Sequence, residues 1–408
     1  MTAADTEAAA AVATLRTTAA IRERAGVLLQ RARAGRSPWF VVDDEALPRA
    51  AAEVAAVTRE RYPDLRIPYH SRWRHFEAGG VDRKAELDAR LADLDPSARA
   101  RTLIDLTVVS VLLDAGAGPG WQYREATTGR SFARSEGLAV ASWHAFFDGV
   151  FSSDPGRPWQ VDAAGLSALD DDALARAFQV DSRNPLVGLD GRAQLLRRLG
   201  AAMAGQPAVF GEPGRPGGLF DTVAGPTVPA HTILTRLLTS LSGIWPADNA
   251  IDGQPLGDCW PHPAVPGDGP SWGWMPFHKL SQWLTYSLLE PFTWAGVEVT
   301  GLDALTGLPE YRNGGLLLDT GVLQLRKPEW ARRAWSVGDE LVVEWRALTV
   351  ALLDELAALV RVRLGAGAER LPLACVLEGG TWAAGRRLAE RLRAGSPPLT
   401  ISSDGTVF

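Results

Sequence analysis

Apolar residues recur along most of this chain at helical spacing. Over residues 8–34, Leu15, Ile21, Val27 and Leu28 in an Ala/Arg background mark one amphipathic opening helix that Gly35 ends. Trp39-Phe40-Val41-Val42 is a short apolar run that reads as a packed connection rather than a strand. Helical spacing resumes over 46–62, 82–94 and 96–115; Leu103, Leu106, Val109 and Leu113 set the last of these deep in a core. Further helices are expected over 135–150, capped by Ser135, and over 166–178, 192–203 and 231–241. Residues 246–270 are rich in Pro and Gly without periodicity, which reads as a long ordered loop. Pro276 suits the first helical position of a helix over 277–289, with Leu280, Leu284 and Leu288 as its apolar stripe. Leu341, Trp345, Leu348, Leu352, Leu356 and Val360 mark a long core helix over 337–364. Residues 371–393 form a last helical segment, and the tail 401–408 ends in apolar residues that suit packing. Strand signals are few. The expected fold is mainly α, with few short strands, as a single large helical domain over 1–408 without a clear linker, its N-terminal helical part ending near residue 115.

Composition narrows the function. The 408 residues are 46% hydrophobic and 22% charged, which suits a globular chain rather than a disordered or membrane one. A formal charge of −6 gives no footprint for nucleic acid, because binding a phosphate backbone takes a basic excess. Cys259 and Cys375 lie far apart with no ligand spacing, so neither a disulfide framework nor a zinc site is expected. The acidic, Ala-rich start and the lack of a long uncharged apolar run point to a cytoplasmic protein that neither spans nor enters a membrane. Lysine occurs only at 84, 279 and 327, which makes Lys279 conspicuous among so many arginines.

No P-loop, dinucleotide fingerprint, nucleophile elbow or His-Glu-x-x-His occurs, and the six histidines show no metal-ligand spacing. The remaining chemistry is polar and carboxylate-based. On the helix after Pro276, Lys279, Gln282 and Tyr286 share a face distinct from the leucine stripe. The turn that follows carries Glu310, Tyr311 and Arg312 beside Gly314-Gly315. Such a set suits gripping a polyhydroxylated substrate and stabilising positive charge on it; it equally suits an exposed lysine and a loop ion pair, and spacing alone does not separate the two. His278 flanks Lys279 and falls near any site built there. A second constellation, Trp121, Tyr123, Arg124, Glu125, Arg130 and Arg134, precedes a helix N-terminus, where two arginines suit a phosphate or carboxylate and equally suit ordinary capping with exposed arginines. Adjacent glycines beside Glu378 and Trp382 suggest the close approach of another backbone or of a ligand. The run Ile67 to Phe76 is dense in aromatic and cationic groups, which suits a loop that faces a ligand and equally an ordered aromatic packing loop. Glu125, Glu136, Glu310, Asp319 and Glu378 are the candidate carboxylates. Cleavage at a sugar anomeric carbon passes through an oxocarbenium-like state that a fixed carboxylate stabilises, directly or by activating water, and Glu310 is the first choice.

The segments 112–125, 134–142, 377–386 and Ser403-Asp-Gly-Thr-Val-Phe408 resemble the uracil-catabolism protein 4 family of fungi and bacteria over nearly the whole chain. That resemblance implies a place in uracil degradation, in which a uracil nucleotide is opened by a cyclohydrolase-like enzyme and urea is a later product. Phe277-His-Lys-Leu-Ser-Gln282 followed by Leu305-Thr-Gly-Leu-Pro-Glu-Tyr-Arg312 is also similar to the Lys-x-x-Gln and Asp-Tyr-Arg segments of queuosine-salvage nucleotide N-glycosidases. These are mainly helical proteins of DNA-glycosylase-like architecture whose lysine and acid sit at the ribose. The likeness implies a glycosylase-like core over 116–408, with Lys279 and Glu310 in those places; Glu stands where that pattern has Asp, and the Pro-Gln after its Arg is missing. Together the resemblances imply hydrolysis of a ring-opened uracil nucleotide such as ribosylurea 5-phosphate. Glu310 would stabilise the oxocarbenium or activate water, Lys279 would orient ribose and that carboxylate, and a set drawn from Arg124, Arg130, Arg134 and Arg312 would take the phosphate. Trp121, Tyr123, Glu125, Glu378 and Trp382 would line the pocket. This chemistry implies no metal or cofactor, and its implied partners are the small-molecule nucleotide and other uracil-catabolism enzymes. An amidohydrolase or ureidase on the ring-opened base, which would need metal ligands or an activated Cys, and a non-catalytic ligand-binding or partner subunit are the rival expectations.

Overall fold

The computed structural model describes residues 3–402 except residue 224. Helices dominate the described residues, and the strands that occur pair only two by two, so the protein is mainly α. By their contacts the residues fall into two compact units: one contains the chain up to His70, Asp248–Gln282 and Gly301–Ser402, the other Ser71–Ala247 and Trp283–Thr300.

The first unit is built around the helix Glu340–Leu364, which is buried on most of its circumference. Its Val343, Ala347 and Val350 pack with Ile21, Ala25 and Leu28 of the helix Thr18–Arg33 and with Met275 and Phe277. The opening segment is two helices rather than one, Ala3–Leu15 and Thr18–Arg33. Thr17 causes the break: its hydroxyl accepts from the Ala20 N–H at 3.1 Å, a cap worth about 1 kcal/mol that is available only if the chain leaves helical geometry at Thr17. Phe40–Val42 is a strand after all, antiparallel to Leu323–Leu325. Its pairing partner lies far downstream, which a local apolar run cannot reveal. Residues 246–270 likewise contain short strands, Ala250–Ile251 with Gln254–Pro255, and Cys259–Pro261 with Trp274–Pro276. Pro276 therefore ends a strand instead of starting the helix, which runs from Lys279 to Trp294 with Pro291 inside it. At the other end of the unit, Leu373–Val376 runs into a π-helical turn, Leu377–Thr381, and then into Trp382–Arg393. The closing segment Ser403–Phe408 lies outside the described residues; before it, Thr400–Ser402 pairs in parallel with Ala334–Ser336.

In the second unit the helix Pro96–Leu112, capped by Asp95, is buried continuously from Leu103 to Leu112 and packs against Arg134–Phe147 and Leu189–Ala204. The N-cap of Arg134–Phe147 is Ala133, without a side-chain hydrogen bond; Ser135 is not the cap, and its carbonyl instead accepts from Arg72. The segment expected as one helix over 166–178 divides into Ala163–Ser167 and Asp171–Ala177, because Asp162 and Asp170 each cap a separate turn. No helix among the described residues is long and apolar enough to cross a membrane.

Candidate active site

Lys279 owes its position to a clamp at the start of its helix. The Asp258 carboxylate accepts from both terminal Arg346 guanidinium nitrogens at 2.8 and 2.7 Å, from the Trp260 indole at 2.8 Å and from the Lys279 backbone N–H at 2.9 Å. Its carbonyl takes the N–H groups of Phe277 and His278. Burial pushes the Asp258 carboxyl up, but Arg346 and these hydrogen bonds outweigh it and hold the group at about 2. His278 sits in the left-handed region at φ 49°, a conformation that costs a non-glycine residue about 1–2 kcal/mol and that the clamp maintains. Its ring is buried and bonds the Leu15 carbonyl at 2.9 Å, so His278 fixes the helix entry instead of presenting itself to a ligand. One turn on, buried Gln282 holds the segment that leads to Glu310: its amide donates to the Thr306 hydroxyl, and its oxygen accepts from the Thr306 N–H at 3.1 Å.

Glu310 is the N-cap of the helix Tyr311–Asp319, and its carboxylate accepts from the backbone N–H groups of Arg312 at 2.6 Å and Asn313 at 2.7 Å. Burial pushes its carboxyl above the ordinary range, while those N–H groups and the charges of Lys279 and Arg312 pull the other way without cancelling the rise. The residue itself remains half-buried, and Lys279 is half-buried too. Arg312 departs from the expected role. Its side chain is buried, lies over the Tyr311 ring at 4.8 Å and reaches the Gly395 carbonyl at 3.4 Å, so it braces the helix. The glycines beside it serve packing: a Cβ on Gly314 would come within 2.7 Å of the Trp345 indole.

Glu378 lies in the π-helical turn, a geometry often found at functional sites. It accepts from Arg61 at 2.7 Å, from the Tyr62 hydroxyl at 3.0 Å and from His70 Nδ1 at 2.9 Å. Burial raises this carboxyl as well, but His70 and Arg61 overcome the effect and bring it to about 2. The neighbouring glycines admit another backbone, as their composition suggested: a Cβ on Gly380 would meet the Val54 carbonyl at 2.6 Å. Half-buried Trp382 follows, with its ring 6.4 Å from that of His70 and the Arg386 guanidinium 5.6 Å from its centroid.

The other sequence-chosen residues belong to the second unit. Glu125 is buried and takes Arg83 at 2.7 and 2.8 Å, Thr128 at 2.6 Å and His144 at 2.8 Å. Burial raises its carboxyl, and these partners together bring it below the ordinary range. Tyr123 stacks on His144 at 5.9 Å, and burial, aided by the charges of Asp148 and Glu125, pushes its phenol to about 12. Trp121 is fully buried and donates to the Phe178 carbonyl at 3.0 Å, which makes it a core residue. Arg124, Arg130 and Arg134 are exposed; Arg130 donates to the Gly79 carbonyl, and Arg134 opens its helix at φ 56°.

Sequence reasoning missed three features of the first unit. Asp258 and Arg346 gave no local signal, because their pairing is long-range. His70 lay in the run singled out for its aromatic and cationic density, but nothing in that run pointed to Glu378. The third is His262 with Glu340 and Glu344, whose donor atoms lie within 4.8 Å of one another. Those donors are already engaged: His262 Nδ1 accepts from the Ala264 N–H at 3.2 Å, which leaves Nε2 protonated and facing Glu344 at 3.3 Å. Glu344 also takes Arg31 at 3.1 Å and the Ser37 hydroxyl. The set reads as a closed hydrogen-bond network.

Known families account for nearly the whole chain. The family described as "Protein of unknown function (DUF1688)" matches residues 14–408. The chain belongs to this family. Protein urg3 of Schizosaccharomyces pombe is 43% identical over 402 residues, covering 95% of this chain and 96% of that protein. Uracil catabolism protein 4 of Lachancea kluyveri is 40% identical over 377 residues, covering 84% and 85% respectively.

Proposed function

We propose that this DUF1688 protein acts in uracil degradation as a hydrolase of the N-glycosidic bond of a ring-opened uracil nucleotide such as ribosylurea 5-phosphate. The pathway follows from the Lachancea kluyveri relative, whose name places it in uracil catabolism. The observation that carries the reaction is Glu310: a half-buried carboxylate whose pKa is raised by burial, fixed by two backbone N–H groups and facing the charge of Lys279. A carboxylate poised in this way suits drawing a proton from water and stabilising cationic character at an anomeric carbon. Lys279, held by the Asp258 clamp, is a compact donor suited to ribose hydroxyls and to steering Glu310. A glycosylase-like architecture is part of the same proposal.

The test is to incubate purified, chelator-treated protein with ribosylurea 5-phosphate and follow urea and ribose phosphate by mass spectrometry, with Glu310→Gln alongside. Release by the wild type and not by the variant is expected. Binding without cleavage would move a carrier or partner-subunit role ahead, and neither binding nor cleavage would discard the substrate assignment.

A further inference from the structure

Arg72 and Arg83 are both fully buried arginines of the second unit, and of the two only Arg83 has every nitrogen engaged. Its Nε and Nη2 donate to the Glu125 carboxylate, and its Nη1 to the carbonyls of Phe76 and Ala78 at 2.7 and 3.0 Å. Arg72 Nε donates to the Ser110 hydroxyl at 2.7 Å. Its Nη1 meets the Asp114 carboxylate at 2.9 Å and donates to His75 Nδ1 and to the Ser135 carbonyl, each at 3.1 Å. Nη2 is closed off from solvent and finds no acceptor among the described residues. Buried guanidinium nitrogens in that condition are rare, because each carries part of a positive charge that a partner must offset.

The charges around it leave the same shortage. Arg192 is likewise fully buried and donates only to carbonyls, those of Leu113, Val187, Ala115 and Gly116. The two guanidiniums therefore have one carboxylate in bonding contact between them, Asp114 on Arg72, while Glu136 acts on Arg72 from farther off. Burial lowers both guanidiniums from their ordinary value, Arg192 to about 10; the Asp114 charge opposes this in each, and the Arg72 charge lowers Arg192 further.

The Ser135 carbonyl that accepts from Arg72 belongs to the first turn of Arg134–Phe147, a helix of 14 residues whose N-cap, Ala133, makes no side-chain bond. Such a helix start carries partial positive charge and points backbone N–H groups outward. Arg134 is exposed and Ser135 half-buried, so the guanidinium lies directly beneath a solvent-facing helix start. We propose that this helix start and Arg72 form a binding site for a phosphate group, free or as a monoester, with Arg72 Nη2 as its buried donor. One phosphate oxygen on Nη2 completes the guanidinium, and the remaining oxygens face the first turn. A carboxylate would bring a single charge, which Asp114 already supplies to Arg72; a phosphate brings up to two and so offsets Arg192 as well. The assignment holds whether or not the chain cleaves a glycosidic bond.

The experiment is isothermal titration calorimetry of the full chain with inorganic phosphate, ribose 5-phosphate, acetate and ribose. Both phosphates are expected to bind one to one with Kd below about 1 mM, and acetate and ribose at least about tenfold more weakly. Arg72→Lys keeps a charge beside Asp114 but has no second nitrogen, and it should weaken both phosphates by about tenfold or more. Ribose 5-phosphate bound much more tightly than inorganic phosphate would mark a sugar phosphate as the ligand; equal affinities would mark the free anion. A wild type that binds neither phosphate, acetate bound as tightly as phosphate, or affinities unchanged in a folded Arg72→Lys would overturn the site. If circular dichroism shows that Arg72→Lys does not fold, wild-type crystals soaked in selenate decide. An anomalous peak within hydrogen-bond distance of Arg72 Nη2 supports the site, and its absence there overturns it.

Discussion

Glu310 and Glu378 are both carboxylates of the first unit, yet their surroundings drive them apart. Each is subject to burial, which disfavours charge. Glu378 meets that cost with Arg61, His70 and a phenol, and its carboxyl falls to about 2. Glu310 is held by two backbone N–H groups and feels the charges of Lys279 and Arg312, and its carboxyl stays above the ordinary range. Glu378 is thereby an anion throughout the neutral range, suited to orienting a neighbour. Glu310 is an anion that accepts a proton more readily, which is what a base near neutrality requires. Glu125 of the second unit, tied to Arg83 and His144, belongs with Glu378 in this respect. The roles of paired carboxylates follow from such environments rather than from residue type.

The largest expected effect separates the two on activity. Glu310→Gln should lower cleavage of ribosylurea 5-phosphate by about 10²–10³-fold or more, since the amide can neither take the water proton nor carry charge. Its melting temperature at pH 7 should not fall. A raised folded pKa means that Glu310 adds stability below its ordinary 4.5 and loses that contribution as pH rises through the folded value, so at pH 7 the variant removes an unfavourable charge. A clear loss of stability with retained activity would reverse the roles assigned here. Glu378→Leu should do the opposite to stability, costing about 3–5 kcal/mol by leaving Arg61 and His70 without their counter-charge. The pH dependence carries the sign. Glu378 falls from an ordinary 4.5 to about 2, so its stabilisation is complete above pH 4.5 and is lost as pH falls toward 2. A shift of that size corresponds to roughly 3 kcal/mol. Denaturant titrations of wild type and Glu378→Gln across that window should converge at its acid end.

Much of this was legible in the sequence, and what was not shares one cause. Helical periodicity found the long helix over 337–364 and the buried 96–115 segment, and the sparse strand signals gave the mainly α class. Glu310, Lys279 and Glu378 stood out because charge beside turn residues and adjacent glycines is a local pattern. Phe40–Val42 escaped because its partner strand is remote, and Pro276 misled because a proline that can open a helix can equally close a strand. The same limit hid Asp258 with Arg346 and His70 with Glu378. Such pairs span long stretches of chain, and no window of neighbouring residues contains both members. Arg312 and Trp121 erred in the other direction: polarity and aromaticity in the right place suggested a ligand, and packing used them instead.

Lys279→Met sharpens the account of Glu310 with a moderate effect. The lysine charge pulls the Glu310 pKa down against burial, so its removal should raise that pKa further. Because the base acts when ionised, the acid limb of the kcat/KM profile should move to higher pH, with a loss on the plateau of about tenfold. An unmoved limb would show that the lysine binds substrate without tuning the acid.

Tyr62→Phe makes the smallest change and asks what holds Glu378. The phenol donates to it beside Arg61 and His70. If the charges of Arg61 and His70 dominate, as the low carboxyl pKa indicates, losing the hydroxyl should cost about 1 kcal/mol, the ordinary net worth of one neutral hydrogen bond. Denaturant unfolding at pH 7 reads that cost, and the same measurement near pH 3 should show a similar one, because the ion pair that governs the acid response is intact. A loss several times larger would mean that Tyr62 organises the cluster and that Arg61 and His70 depend on it, which would place the phenol, rather than those two, at the origin of the contrast with Glu310.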